Sequence, residues 1–202
     1  MTSPITLIVL LSACVATTAV AADPRNPDWP CVQVKVPEVS LAAVWAGPPL
    51  DDVGTAWQQD PKVKEMVERL AARRVPLEEA QKLAAEFLQA AGDRKEAGKL
   101  LFAGLFDTLN RLRSEIIVGI ERYTRRQREF AGRIRADTLK LREMQAAASQ
   151  DPKRAEEIAQ QLEWETRIFE DRRRTISSVC EVPVLVDQRL FALGRTIQEA
   201  ME

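Results

Sequence analysis

Apolar residues recur at every seventh position along two stretches of this chain. In the first stretch Leu109, Ile116, Tyr123, Phe130 and Met144 share one position, interrupted once by Asp137, and Ile120, Ile134 and Leu141 run beside them. In the second, Ala155, Leu162, Phe169 and Ile176 hold one position, and Ile158 and Val179 the other. A stripe of that period is the seam of a coiled coil. Between the stripes lies Ser149-Gln150-Asp151-Pro152, in which Asp151 is suited to cap a helix and Pro152 to open it. Folding the chain at Gln150 brings the stripes together antiparallel, with Phe130 opposite Phe169, Tyr123 opposite Ile176 and Met144 opposite Ala155. No proline occurs from Asp93 to Ala148, and Gly98, Gly104, Gly119 and Gly132 weaken the helix only locally. The pattern predicts a long antiparallel helical hairpin over about 105–182.

Shorter helical signals precede it. Asp51 or Asp52 is placed to cap a short helix reaching Trp57. Asp60-Pro61 opens a helix to about Arg74, with Val67, Leu70 and Ala71 on its apolar face. Pro76 starts another, with Glu78 and Glu79 opposing the dipole in its first turn and Gly92 at its end. Beyond the hairpin, Pro183 is expected to kink or restart the second arm, and Leu185, Leu190, Phe191, Leu193 and Ile197 to form a final amphipathic helix. That helix should pack near Leu101, Leu105 and Phe106, building a small helical base.

The segment from Asp23 to Pro49 is different. Pro24, Pro27, Pro30, Pro37, Pro48 and Pro49 forbid helix and favour an extended arm. Cys31 to Val36 alternates like a strand, but a lone strand has nothing to pair with. The reading is an arm laid along the helices with Trp29 and Trp45 as anchors. The fold class expected is therefore all-α: 23–50 an extended Pro-rich arm, and 51–202 a helical domain dominated by the hairpin.

The first 22 residues read as an export signal. Ile5 to Ala22 carries no charge and ends in small residues of the kind a leader peptidase cuts after, although no Lys or Arg precedes it. Two other fates are open to it. Leu11-Ser12-Ala13-Cys14 has the form of a lipobox, in which Cys14 would be acylated, and an uncleaved anchor is at the short limit for spanning a bilayer. Each places the rest of the chain outside the cytoplasm, periplasmic or secreted, or membrane-anchored and facing the periplasm. Cys31 and Cys180 then remain as a pair in an oxidising compartment. A bridge between them would staple the arm to the C-terminal half, worth up to ~5 kcal/mol on the loop-entropy model.

Composition narrows the chemistry. The chain of 202 residues is 29% charged and 46% apolar with a formal net charge of −1, so it is globular and has no global attraction to polyanions. It contains no histidine, which excludes Ser-His-Asp and Cys-His catalysis, His-containing metal sites and c-type haem attachment. Paired carboxylates remain (Glu156-Glu157, Glu163-Glu165, Glu170-Asp171), but they sit among Lys and Arg at salt-bridge spacing. No catalytic residue, metal site or cofactor is expected.

One cluster does stand out. Arg122, Arg125, Arg126 and Arg128 on the first arm lie opposite Arg172, Arg173 and Arg174 on the second, with Glu121, Glu129, Glu170 and Asp171 interspersed. Two readings are open: a docking patch for an anionic partner, or a mixed solvated flank of the hairpin. Nucleic acid is a poor match, because Tyr123 alone interleaves with the cluster. The functional expectation is a non-enzymatic scaffold, assembly factor or accessory subunit of the bacterial envelope. It would bind a protein partner through the hairpin and could also homodimerise; the alternative is a sensor that binds an anionic ligand at the arginines. The plan is similar to that of envelope chaperones with coiled-coil arms, a likeness of architecture alone.

Overall fold

The computed structural model describes residues 25–147 and 151–202, so the proposed signal segment and Cys14 lie outside the described residues. Five α-helices follow one another: α1 Leu41–Val44, α2 Pro61–Ala71, α3 Leu77–Gln89, α4 Arg94–Ala146 and α5 Pro152–Met201. Among the described residues there is no strand, and the all-α class holds.

Capping fixes the helix starts that the sequence announces. Asp60 accepts from the amides of Lys62 and Val63 ahead of Pro61, Asp93 accepts from Glu96, and Asp151 accepts from Arg154 ahead of Pro152. The ends and the irregular pieces differ more from expectation. α2 stops at Ala71 rather than Arg74, because the side chain of Arg189 reaches its C-terminus. Its Nε donates to Leu70 O at 2.7 Å and its Nη1 to Val75 O at 3.0 Å. A guanidinium there satisfies carbonyls that have no partner inside the helix. Around Asp51 and Asp52 the chain forms turns and a single 3-10 turn, Ala56–Gln58, in place of the expected short helix. The arm in turn contains one helical turn, α1, in a stretch that no proline interrupts.

The largest correction concerns α5. It runs unbroken for 50 residues with Pro183 inside it, so the expected restart and the separate final helix do not occur. The ring deprives Val179 O of its usual donor. On the adjoining carbonyl, Cys180 O, the arm supplies a donor from the side chain of Gln33. Packing against α4 on either side of Pro183, at Arg172 and at Asp187, holds the helix in one piece.

α4 and α5 pack antiparallel along their length. The Tyr123 hydroxyl donates to Arg172 O at 3.0 Å, Phe130 meets Phe169 edge-on with centroids 6.4 Å apart, and Arg113 pairs with Asp187 at 2.6 Å. Farther down, Gly98 lies against Met201, so the pairing extends well past the expected limits of 105 and 182.

The core sits at the open end of this pair. There α2 and α3 close over it, burying Leu70, Leu88, Leu101, Phe102, Leu105 and Leu193 completely. Trp45 of the arm stacks on Phe102 with centroids 4.2 Å apart. Two glycines read in the sequence as mere weak points turn out to be contact points. A Cβ at Gly104 would lie 2.6 Å from Val67 and 2.9 Å from the Trp57 ring, and at Gly98 it would collide with Met201. Gly194 on α5 is equally tight, since a Cβ there would lie 2.7 Å from Val44 O. Close approach, not flexibility, is what these positions require.

Candidate interaction surfaces

The arm is held along the middle of the hairpin by contacts of several kinds. Cys31 and Cys180 are joined as a disulfide. Trp29 is buried against Ile117 and Ile120 of α4, and its indole donates to Gln33 O at 2.7 Å. Lys35 pairs with Glu121 at 2.6 Å. Arg113, almost fully buried, donates to Val36 O and Pro37 O while it pairs with Asp187. A buried guanidinium is tolerated only when its donors are occupied, and here they tie arm, α4 and α5 together. Val39 N donates to Asn110 Oδ1 at 3.0 Å and completes the row.

This docking divides the arginine cluster. Arg125 and Arg128 turn to Asp28 of the arm, and Arg128 also donates to Pro27 O. Arg172 lies over the Phe130 ring, 5.4 Å from its centroid. Arg173 and Arg174 pair with Glu170 at 2.9 Å and Asp171 at 3.7 Å, one turn back on α5. Arg122 and Arg126 are exposed and have no acidic partner among the described residues. Five of the seven thus have intramolecular work, and two are left facing solvent.

Beyond Phe130 and Phe169, the two helices alone form the hairpin among the described residues. From residue 131 to 146 α4 advances about 24 Å with α5 beside it. Ile158 is its buried seam residue, while Leu139 is 58% exposed and Trp164 62% exposed. Trp164 went unremarked in the heptad pattern because it falls off the seam. The signal was present: an indole between Glu163 and Glu165, where a solvated flank calls for neither bulk nor apolarity. A second apolar surface lies nearer the base, where Val32 and Val34 of the arm are 79% and 77% exposed.

A comparison with protein-family models, curated proteins and solved structures finds no match to this chain. Its chemistry therefore has to be read from its own side chains. Among the described residues, no three His, Cys, Asp or Glu side chains gather in a way that could hold a metal ion, and no helix is long and apolar enough to cross a membrane.

The electrostatics are mild. Lys99 and Asp52 form a pair at 2.6 Å, which holds the Asp52 carboxyl below the usual carboxylate range and the Lys99 ammonium above its usual one. Burial pulls the Arg189 guanidinium downward from its ordinary value, yet an arginine stays charged at any pH a protein meets. The Glu156-Glu157, Glu163-Glu165 and Glu170-Asp171 pairs lie on α5, where they meet the neighbouring Arg154, Gln160, Gln161, Arg167, Arg173 and Arg174. Such an arrangement stabilises a helix surface.

Proposed function

We propose that this chain is an exported, non-enzymatic interaction protein of the bacterial envelope, a scaffold, assembly factor or accessory subunit. It engages a protein partner through the projecting end of its hairpin. The observation that carries the reading is the pairing of a long two-helix projection with an exposed tryptophan, Trp164, at its side. Indole side chains are enriched among the residues that dominate interface energy, and an isolated one on a charged helix has no role in folding its own chain. The disulfide supports the exported setting, since such bridges persist where thiols are oxidised.

Two experiments test this. Intact mass of the protein purified from its native envelope should show a chain beginning at Ala22 or Asp23, two hydrogens lighter before reduction than after. A full-length mass with free thiols would refute export. Affinity capture under native conditions should recover a partner in fixed ratio with the wild type and lose it with Trp164→Ala. A free monomer in cells, with nothing captured, would refute the interaction role.

A second reading keeps the arginines as a sensor's binding site for an anionic ligand, and it is favoured by Arg122 and Arg126, which face solvent and have no acidic partner among the described residues. Replacing Arg126, Arg173 and Arg174 with Glu should then abolish binding of an anionic ligand and leave helicity intact. Unchanged binding would eliminate it.

A further inference from the structure

The face of α4 that carries the arm does not end where the arm ends. Ser114, Glu121 and Arg128 stand at seven-residue spacing along it, and each holds the arm. Ser114 Oγ donates to Pro37 O at 3.1 Å, Glu121 pairs with Lys35, and Arg128 pairs with Asp28. Arg135 and Arg142 continue the same line toward the far end of the hairpin. Both are exposed, and neither has an acidic partner among the described residues. Leu139, also exposed, stands one turn from each of them.

α5 carries a matching line. Ser177 and Val184 border the hollow beside the arm, and the same seven-residue spacing runs on through Glu170, Glu163 and Glu156. The antiparallel pairing sets Arg135 level with Glu163, and Arg142 with Glu156, to within one turn. The two lines are therefore opposed rails, cationic on α4 and anionic on α5. Among the described residues no ion pair crosses from one rail to the other. Each acid instead bonds within about one turn on its own helix, to Gln160, Arg167 or Arg173. Exposed pairs of that kind are worth little and yield to a better partner.

Between the rails runs a channel. Ala131 and Thr138 on α4, and Ala159 and Thr166 on α5, lie between each rail and the seam, and all four side chains are short. The channel continues the arm's own track past Asp28, and no described residue covers it. Spacing decides what kind of segment fits. Successive posts of a rail are seven residues apart, about 10.5 Å along the helix axis. An extended chain advances about 3.3 Å per residue, so it reaches successive posts every third residue and on alternate faces. The arm shows the mismatch, since its contacts to the line fall unevenly at 37, 35 and 28. A helix meets such posts at every seventh residue and on one face.

We propose that the channel receives a helix of a partner protein. Acidic residues at every seventh position along one edge of that helix pair with Arg135 and Arg142, and basic residues along its other edge pair with Glu156 and Glu163. Its apolar stripe lies on the short side chains between the rails and against Leu139, which makes a third strand on the hairpin. Charges flanking an apolar stripe set the choice and direction of partners in such assemblies. The proposal rests on the interaction role given to the projection and adds a second face to it, about 100° around α5 from Trp164.

The probe is a synthetic helix, three repeats of Ala-Ala-Ala-Leu-Glu-Gln-Lys, with Glu and Lys on opposite edges of the leucine stripe. It is titrated into the intact disulfide-bonded protein, with affinity read from fluorescence anisotropy and location from backbone amide NMR. Saturable binding is expected, with amide shifts centred on 128–142 and 156–170. Arg135→Glu with Arg142→Glu should weaken it about tenfold or more. A peptide with Lys on both edges should bind that variant more tightly than it binds the wild type. Both arginines are exposed, so the variant folds, which circular dichroism checks.

Three results would overturn the proposal: no peptide binding, binding that the double charge reversal leaves unchanged, or the same shifts produced by self-association alone, which would make a second copy the occupant. Absent peptide binding with Trp164-dependent capture intact removes the channel and leaves the interaction role standing. Conversely, peptide binding with no partner captured through Trp164 removes the role given to that side chain and keeps the channel.

Discussion

The two ends of the hairpin are built from the same helices and held by different means. At the base, α4 and α5 are covered by α2, α3 and the arm, and a core side chain meets several elements: Phe102 touches Trp45 of the arm, Phe106 on its own helix and the Gly194 backbone of α5. At the far end only two helices are available, so each seam residue is buried on one side and open at its flanks. Among the described residues there, Phe130 and Ile158 alone are buried, while Ile134 and Leu162 are half-buried. A two-helix seam cannot enclose a core, and its stability comes from the base that nucleates it. The lesson is a division of labour: the base sets the stability, which leaves the far end free to carry side chains such as Trp164 and Leu139 that contribute little to it.

That contrast can be broken from either side. Phe102→Ala should cost about 3–5 kcal/mol, measured by urea denaturation, because a filled core site is emptied. Phe130→Ala should cost clearly less and speed amide exchange only in the far half of the hairpin. Equal costs would mean that the two ends are one cooperative core.

Replacing Cys31 and Cys180 together by Ser should lower stability by about 2–4 kcal/mol and free the arm while leaving hairpin helicity unchanged. Gly194→Val should cost roughly 1–3 kcal/mol, since its side chain would meet Val44 O and the Phe102 ring. The same change at Gly119, where a Cβ meets nothing within 4 Å, is expected to be nearly silent. Trp164→Ala should fall within ~0.5 kcal/mol of wild type, as surface changes do.

The smallest effect is electrostatic. The depressed Asp52 carboxyl contributes stability that is present above its unfolded pKa and lost as pH falls through the folded one. For the raised Lys99 ammonium, the contribution is present below its unfolded pKa and lost as pH rises through the folded one. Asp52→Asn should therefore lower stability slightly near neutrality and flatten the slight fall at both acid and alkaline extremes, as thermal melts against pH can show.

Much of this molecule could be read in advance, and the parts that could not share a cause. Heptad spacing and the Asp-Pro caps are local signals, so the helices and the facing of Phe130 and Phe169 were legible. The even pair of cysteines left outside the expected leader pointed to the bridge. What was missed depends on contacts between distant elements. Pro183 reads as a break until one sees how α5 is packed on both sides of it and how Gln33 serves the carbonyl next to the one it orphans. Arg189 shortens α2 from a position 119 residues away. The arginines read as one patch because spacing shows that they are neighbours but not that Asp28 claims two of them. Trp164 is a different case, since an indole between Glu163 and Glu165 stands out without any tertiary contact.

The measurement that bears most directly on the account is photo-crosslinking in the native envelope, with a photoreactive residue placed at exposed position 160, one turn before Trp164, or at 82 on the exposed face of α3. The account predicts a discrete adduct from position 160, absent when Trp164 is also changed to Ala, and none from position 82. Equal adducts from both positions, or none from 160, would contradict it.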